Sequence, residues 1–226
     1  MSEVKDEAEL WTAVDAYLAD HLMEKDEVLD EALRESDAAG LPAIQVTALQ
    51  GRMLQMFARM VGARRILELG TLGGYSSIWL ARALPEGGRL VTLEAAAKHA
   101  AVARKNLKRA GMLDRVELRE GPALDSLPKL EAEGAAPFDF IFLDADKEHN
   151  ADYLQWALKL ARPGTVIVTD NVVREGAVLD TKSDDVGVKG TRRFFEALAS
   201  EGRVTATAIQ TVSGKKYDGF ALLIVN

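Results

Sequence analysis

No cysteine occurs among the 226 residues, which excludes a disulfide, a thiolate nucleophile and a Cys-ligated zinc. Basic charge is short as well: 28 Lys and Arg stand against 35 Asp and Glu, for a formal net charge of −7. A nonspecific nucleic-acid binder needs a basic face, so that class is disfavoured and no nucleic-acid partner is expected. No apolar run reaches the roughly 18 residues that a membrane helix requires. The opening Met1 to Glu7 is polar and acidic, the wrong composition for a signal peptide. Histidine occurs three times. His21 and His99 fall on helical stretches and read as surface residues, whereas His149, next to Asn150, is a pocket candidate. Missing too are the Gly-x-Gly-x-x-Gly dinucleotide turn, the Gly-x-x-x-x-Gly-Lys phosphate turn and any Ser–His–Asp spacing. A cytoplasmic protein with no membrane partner and a sizeable core is the expectation.

What is present is concentrated in Arg65 to Ser76, Arg-Ile-Leu-Glu-Leu-Gly-Thr-Leu-Gly-Gly-Tyr-Ser. Ile66, Leu67 and Leu69 suit a strand buried on both faces of a parallel sheet. Gly70, Gly73 and Gly74 follow, and then an apolar-periodic run from Tyr75 to Leu84. Strand, glycine-rich turn and helix present backbone N–H groups to a nucleotide-like ligand. Glu68, two residues before the first glycine, has no reason to face a pyrophosphate. It can face a cation such as the amino group or sulfonium of S-adenosylmethionine.

Residues 7–39 read as two helices with stripes at Leu10, Val14, Tyr17, Leu18 and Leu22 and at Val28, Ala32 and Leu33. A third helix, Ala48 to Val61, ends at Gly62, and its methionines read as core packing. From residue 62 onward strands and helices alternate, with strands around 66–69 and at 89–93, 116–119, 138–143 and 165–169. That alternation makes a parallel, doubly wound sheet. The chain closes with a helix near Thr191 to Ser200 and two strands, 204–212 and 217–225. The short Ser213-Gly214-Lys215 turn forces these strands to be antiparallel. One domain over 1–226 is expected, with N-terminal helices over 1–61 and the α/β core over 62–226. Asp180 to Gly190 is the expected mobile loop.

In open α/β sheets ligands bind beyond the carboxyl ends of the strands. Glu94 closes the second strand, where a carboxylate can accept from both hydroxyls of a ribose. The bland alternative is a surface acid at a helix N-terminus. Asp144, Asp170 and Asn171 end the fourth and fifth strands. Three oxygen ligands without His or Cys suit a hard cation, Mg²⁺, Ca²⁺ or Mn²⁺. The alternative there is a helix cap and an Asx turn. Lys147, three residues past Asp144, is the candidate general base beside such a cation.

Taken together, Glu68-x-Gly70-x-x-x-Gly74-Tyr75-Ser76, Glu94, Gly121-Pro122-Ala123, Asp144-Ala145-Asp146-Lys147 and Asp170-Asn171 resemble the cation-dependent O-methyltransferases of caffeoyl-CoA and catechol type. The match runs from about Ile44 to the C-terminus. The resemblance implies a Rossmann-like seven-stranded sheet with the last strand antiparallel. It implies S-adenosylmethionine contacts at Val46, Glu68, Gly70, Thr71, Gly74, Ser76, Glu94, Ala123 and Asp144. It also implies metal ligation by Asp144, Asp170 and Asn171, catalysis by Asp144 and Lys147, a small phenolic acceptor and a homodimer. Many plant members carry Tyr where this chain has Asn150, and Trp-Asn where it has Arg174-Glu175, so the resemblance implies the cofactor and the metal but not an acyl-CoA acceptor. A nicotinamide oxidoreductase on a similar sheet, or a methyltransferase for another acceptor class, are the alternatives.

Overall fold

The computed structural model describes residues 6–214 and 217–226. The opening Met1 to Lys5, and Lys215 of the expected turn, lie outside the described residues. Three helices, α1 (Glu7–Leu22), α2 (Glu27–Ala38) and α3 (Ala48–Met60), precede the sheet. Then come β1 (Arg65–Leu69), α4 (Tyr75–Ala81), β2 (Arg89–Glu94), α5 (Ala97–Arg109), β3 (Val116–Glu120), α6 (Ala123–Ala132) and β4 (Phe138–Leu143). The chain finishes with α7 (Asn150–Lys159), β5 (Ala161–Asp170), α8 (Val186–Ala199), β6 (Val204–Val212) and β7 (Tyr217–Val225). Short 3-10 turns cover Lys147–His149 and Arg174–Leu179.

The seven strands form one sheet in the order β3-β2-β1-β4-β5-β7-β6. β7 is antiparallel to both of its neighbours and the β1–β5 pairings are parallel, as expected. The strand order reverses at β1 and β4, where α/β folds open a crevice for ligand. Because side chains alternate across a strand, β1 feeds two cores. Leu67 and Leu69 pack with Leu127, Leu154 and Phe194 on one face. On the other, Ile66 packs with Ile78, Trp79, Phe140 and Phe142. Leu29, Ala32, Leu54 and Ala58 belong to that second cluster, so α2 and α3 are built onto the sheet.

Two helical stripes depart from expectation. The stripe of α1 is exposed, with Tyr17 62 % and Leu22 67 % accessible. On α3 the buried line is Gly51, Leu54 and Ala58, whereas Met56 and Met60 face solvent. Gly51 sets that rotation, because a Cβ there would overlap the Trp79 ring. The expected mobile loop is half helix: α8 starts at Val186, capped by Asp185 Oδ1, which accepts from Val188 N at 2.9 Å. Gly190, which reads as a breaker, lies where α8 crosses the Lys147–His149 turn. A Cβ there would sit 2.6 Å from Glu148 Cα.

Candidate active site

The carboxyl ends of the central strands are stitched together by backbone bonds. Gly70 N donates to Leu93 O (3.0 Å), Gly121 N to Glu94 O (2.9 Å) and Asp144 N to Leu69 O (2.8 Å). Gly70 is required at its position, since φ is +96° and a Cβ would sit 2.7 Å from the Asp144 carbonyl carbon. The chain ends of β1 and β4 therefore close on each other, leaving a cavity of about 510 Å³ above them.

Seven of the nine residues assigned to the methyl donor line this cavity: Val46, Gly70, Thr71, Ser76, Glu94, Ala123 and Asp144. Glu68 and Gly74 are not among the lining residues. Gly74 (φ +82°) forms the N-cap of α4. Glu68 is fully buried beneath the floor, where Oε2 accepts from Ser77 Oγ and from Thr92 Oγ1 at 2.7 Å. Its Oε1 has no partner. Burial pushes its pKa up to about 7 against the hydroxyls of Ser76, Ser77 and Thr92, which hold it down.

Glu94 is not a surface acid but a buried one at the end of β2. Its Oε2 accepts from Thr71 N (3.2 Å) and Leu72 N (2.7 Å), and its Oε1 accepts from Ala96 N at 3.0 Å. His99 Nδ1 lies 3.2 Å from the same Oε1. Glu94 thus pins the glycine turn and the start of α5 while facing the cavity. His99 is no simple surface residue, as it also lines that cavity. Its signal was the spacing: five residues past a strand-end acid and within the first turn of α5, it points back at Glu94. His149 lines the cavity and pairs with Asp146, whose Oδ1 accepts from Tyr153 OH at 2.5 Å. Burial pushes the Asp146 pKa up, but the bonds from Tyr153 and His149 outweigh it and leave the carboxyl lowered.

Asp144 and Asp170 leave adjacent strands side by side, since Leu143 is in register with Thr169. Lys147, from the 3-10 turn, donates from Nζ to Asp144 Oδ1 at 2.6 Å. Asp170 Oδ1 accepts from Asn171 N at 2.8 Å, in the turn where Asn171 takes φ +55°. No ion pair to Asp170 occurs among the described residues. Burial, and then the charge of Asp144, push its pKa well above the usual carboxylate range, with Lys147 opposing. A carboxyl held among negative neighbours with only oxygen donors beside it fits a hard divalent cation. Among the described residues no three His, Cys, Asp or Glu groups come together for a metal. The third donor of the expected set is the amide of Asn171.

A second cavity of about 650 Å³ adjoins the first and is lined by Asp170, Asn171, Arg174, Asp185 and Asp218, among others. Ile44, Gln45, Val46, Asn171 and Arg174 border both. Sequence reasoning passed over Asp218. From β7 its Oδ1 accepts from the backbone N–H groups of Val173 (3.0 Å), Arg174 (2.9 Å) and Gly219 (2.9 Å). It holds the turn that carries Asn171 and Arg174.

A doubly wound sheet with a cavity at its switch point, and beside it a second one reached across Asn171 and Arg174, defines an α/β protein built to bind a nucleotide-like ligand there. The chain belongs to the O-methyltransferase family, whose model matches residues 19–222. It is 52 % identical to a catechol O-methyltransferase of Niastella koreensis, over 96 % of this chain and 98 % of that protein. It superposes on the crystal structure of an O-methyltransferase from Bacillus cereus in complex with SAH with a TM-score of 0.96. Identity there is 58 %, covering 97 % of this chain and 100 % of that one. TomG from Streptomyces achromogenes, an O-methyltransferase crystallised with SAM, gives 0.95 at 52 % identity, covering 98 % and 99 %. Family membership sets aside the oxidoreductase alternative. No described helix is long and apolar enough to cross a membrane.

Proposed function

We propose that this enzyme moves the methyl group of S-adenosylmethionine to one hydroxyl of a vicinal diphenol, with a divalent cation held by Asp144, Asp170 and Asn171 and with Lys147 as the base. The observation that carries this reading is the position of the Asp144–Lys147 pair in the donor cavity, beside Asn171, which borders the second cavity as well. The relatives support it, being O-methyltransferases named for catechol in one case and crystallised with SAH or SAM in others.

On this reading the donor's adenosyl end lies against Ala123, with its ribose at Glu94 and His99. The acceptor enters through the second chamber. A free phenol has a pKa of about 10, so roughly one molecule in a thousand is phenolate at neutral pH. A divalent cation, when bound, supplies positive charge that lowers the pKa of a nearby hydroxyl by several units. Lys147, with its side chain 10 % exposed, accepts the hydroxyl proton when neutral. The phenolate oxygen forms the new O–C bond as the S–C bond breaks, and the sulfur keeps that electron pair. The protein's main contribution is holding oxygen and methyl carbon in reach.

The deciding experiment offers catechols, flavonoids and phenylpropanoid thioesters with labelled methyl donor, with and without EDTA. Methylation of a vicinal diol that EDTA abolishes and Mg²⁺ restores is expected. Turnover that is indifferent to EDTA would remove the cation from the mechanism.

A further inference from the structure

Arg174 stands in the wall shared by the two cavities, and no carboxylate among the described residues pairs with it directly. Its side chain makes no hydrogen bond or ion pair with the described residues, and its Nε is shut off from solvent without a partner. That Nε carries a desolvation cost which an incoming acceptor group would relieve. The Arg174 backbone adds to that cost. Arg174, Glu175 and Gly176 take φ of +58°, +56° and +85° in succession, a conformation that costs about 1–3 kcal/mol for each residue other than glycine. Asp218 maintains it through the N–H groups of Val173 and Arg174.

None of the acidic groups around the chamber forms an ion pair with Arg174 among the described residues. Asp218 Oδ1 is occupied by three backbone donors, and Asp185 Oδ1 caps α8. Asp170 faces the proposed cation. Asp185 acts on Arg174 only through space, and the Arg174 charge helps lower the Asp185 pKa after the bond from Val188 N. Glu175 is exposed.

From these observations we infer that Arg174 selects acceptors bearing a carboxylate, binding that group at the end of the ring remote from the methylated diol. The inference rests on the acceptor chamber assigned above and adds the acceptor's charge. A guanidinium fork matches a carboxylate with two parallel N–H···O bonds, which a neutral ester, amide or amine cannot reproduce.

The test compares 3,4-dihydroxybenzoate with 3,4-dihydroxybenzamide. Their equilibrium binding to the Mg²⁺- and S-adenosylhomocysteine-loaded enzyme is measured by calorimetry, alongside methylation rates. In the wild type the acid binds more tightly by about tenfold to a hundredfold, the range of a charge-assisted pair. Arg174→Gln brings the ratio close to one, and Arg174→Lys keeps part of the preference. Wild-type and variant melting curves, together with S-adenosylhomocysteine affinity, check that each variant is folded. No preference for the acid in the wild type, or a preference that Arg174→Gln leaves intact, overturns the inference. An Arg174-dependent preference without methylation of either compound supports the anion site and sinks the reaction assigned above. Methylation of both with equal affinity does the reverse.

Discussion

Glu68 makes a quantitative claim about stability. Folding places its carboxyl beneath the donor floor with one oxygen unpartnered, and burial raises its pKa from 4.5 to about 7. An acid raised on folding binds a proton more tightly in the folded state. Its contribution is therefore fully present below pH 4.5 and is lost as pH rises through 7. The gap of about 2.5 pH units corresponds to ~3 kcal/mol at about 1.36 kcal/mol each. Glu68→Gln keeps an acceptor for Ser77 and Thr92 but cannot ionise, so it removes the pH dependence. Urea unfolding of both proteins, free of donor and with EDTA present, should show the difference in stability (variant minus wild type) rising by roughly 3 kcal/mol between pH 4.5 and 8. The slope carries the test, because a buried amide N–H without an acceptor shifts the variant by the same amount at every pH. A difference that stays flat with pH would show that Glu68 is ionised in the folded protein throughout, and the reasoning from burial would fail.

Lys147→Ala should lower kcat by about 10²–10⁴-fold, the usual weight of a general base, while S-adenosylhomocysteine affinity stays nearly unchanged; unaltered turnover at neutral pH would remove Lys147 from the chemistry. Gly70→Ala should destabilise by about 2–6 kcal/mol, from ~1–3 of backbone strain and ~1–3 of overlap with the Asp144 carbonyl. An unstrained Gly→Ala stabilises by about 0.4–1 kcal/mol instead, so the sign read from urea midpoints decides. Asp26→Ala should cost about 1–2 kcal/mol, because Asp26 caps α2 through Leu29 N and pairs with Arg82 at 2.5 Å. Arg82 and the cap lower the Asp26 pKa, so this loss should shrink as pH falls below about 4, and a loss constant with pH would contradict the assignment.

The sheet was legible because its determinants are local. Apolar runs such as Ile66 to Leu69 and Phe138 to Leu143 have one reading, and glycines sit where the turns need them. The strand-end residues were legible for the same reason, since a doubly wound sheet dictates where Glu94, Asp144 and Asp170 emerge. What escaped depends on contacts distant in sequence. Gly187 and Gly190 argue against a helix by propensity, yet α8 runs through both because Gly190 must clear the Glu148 backbone. The stripe of α1 follows helical periodicity but meets no core. His99 looked peripheral until the fold turned it toward Glu94, and Asp218 has no motif around it.

The position of β7 between β5 and β6 sets an order of assembly. The first cavity is lined chiefly by residues up to Tyr153, with Val46 and its neighbours earliest in the chain. The second waits for Asp218, which β7 brings to fasten the turn after β5. On the function proposed above, changes around residues 175–188 and 218 would retune what is methylated, whereas Asn171 and Arg174 border both cavities.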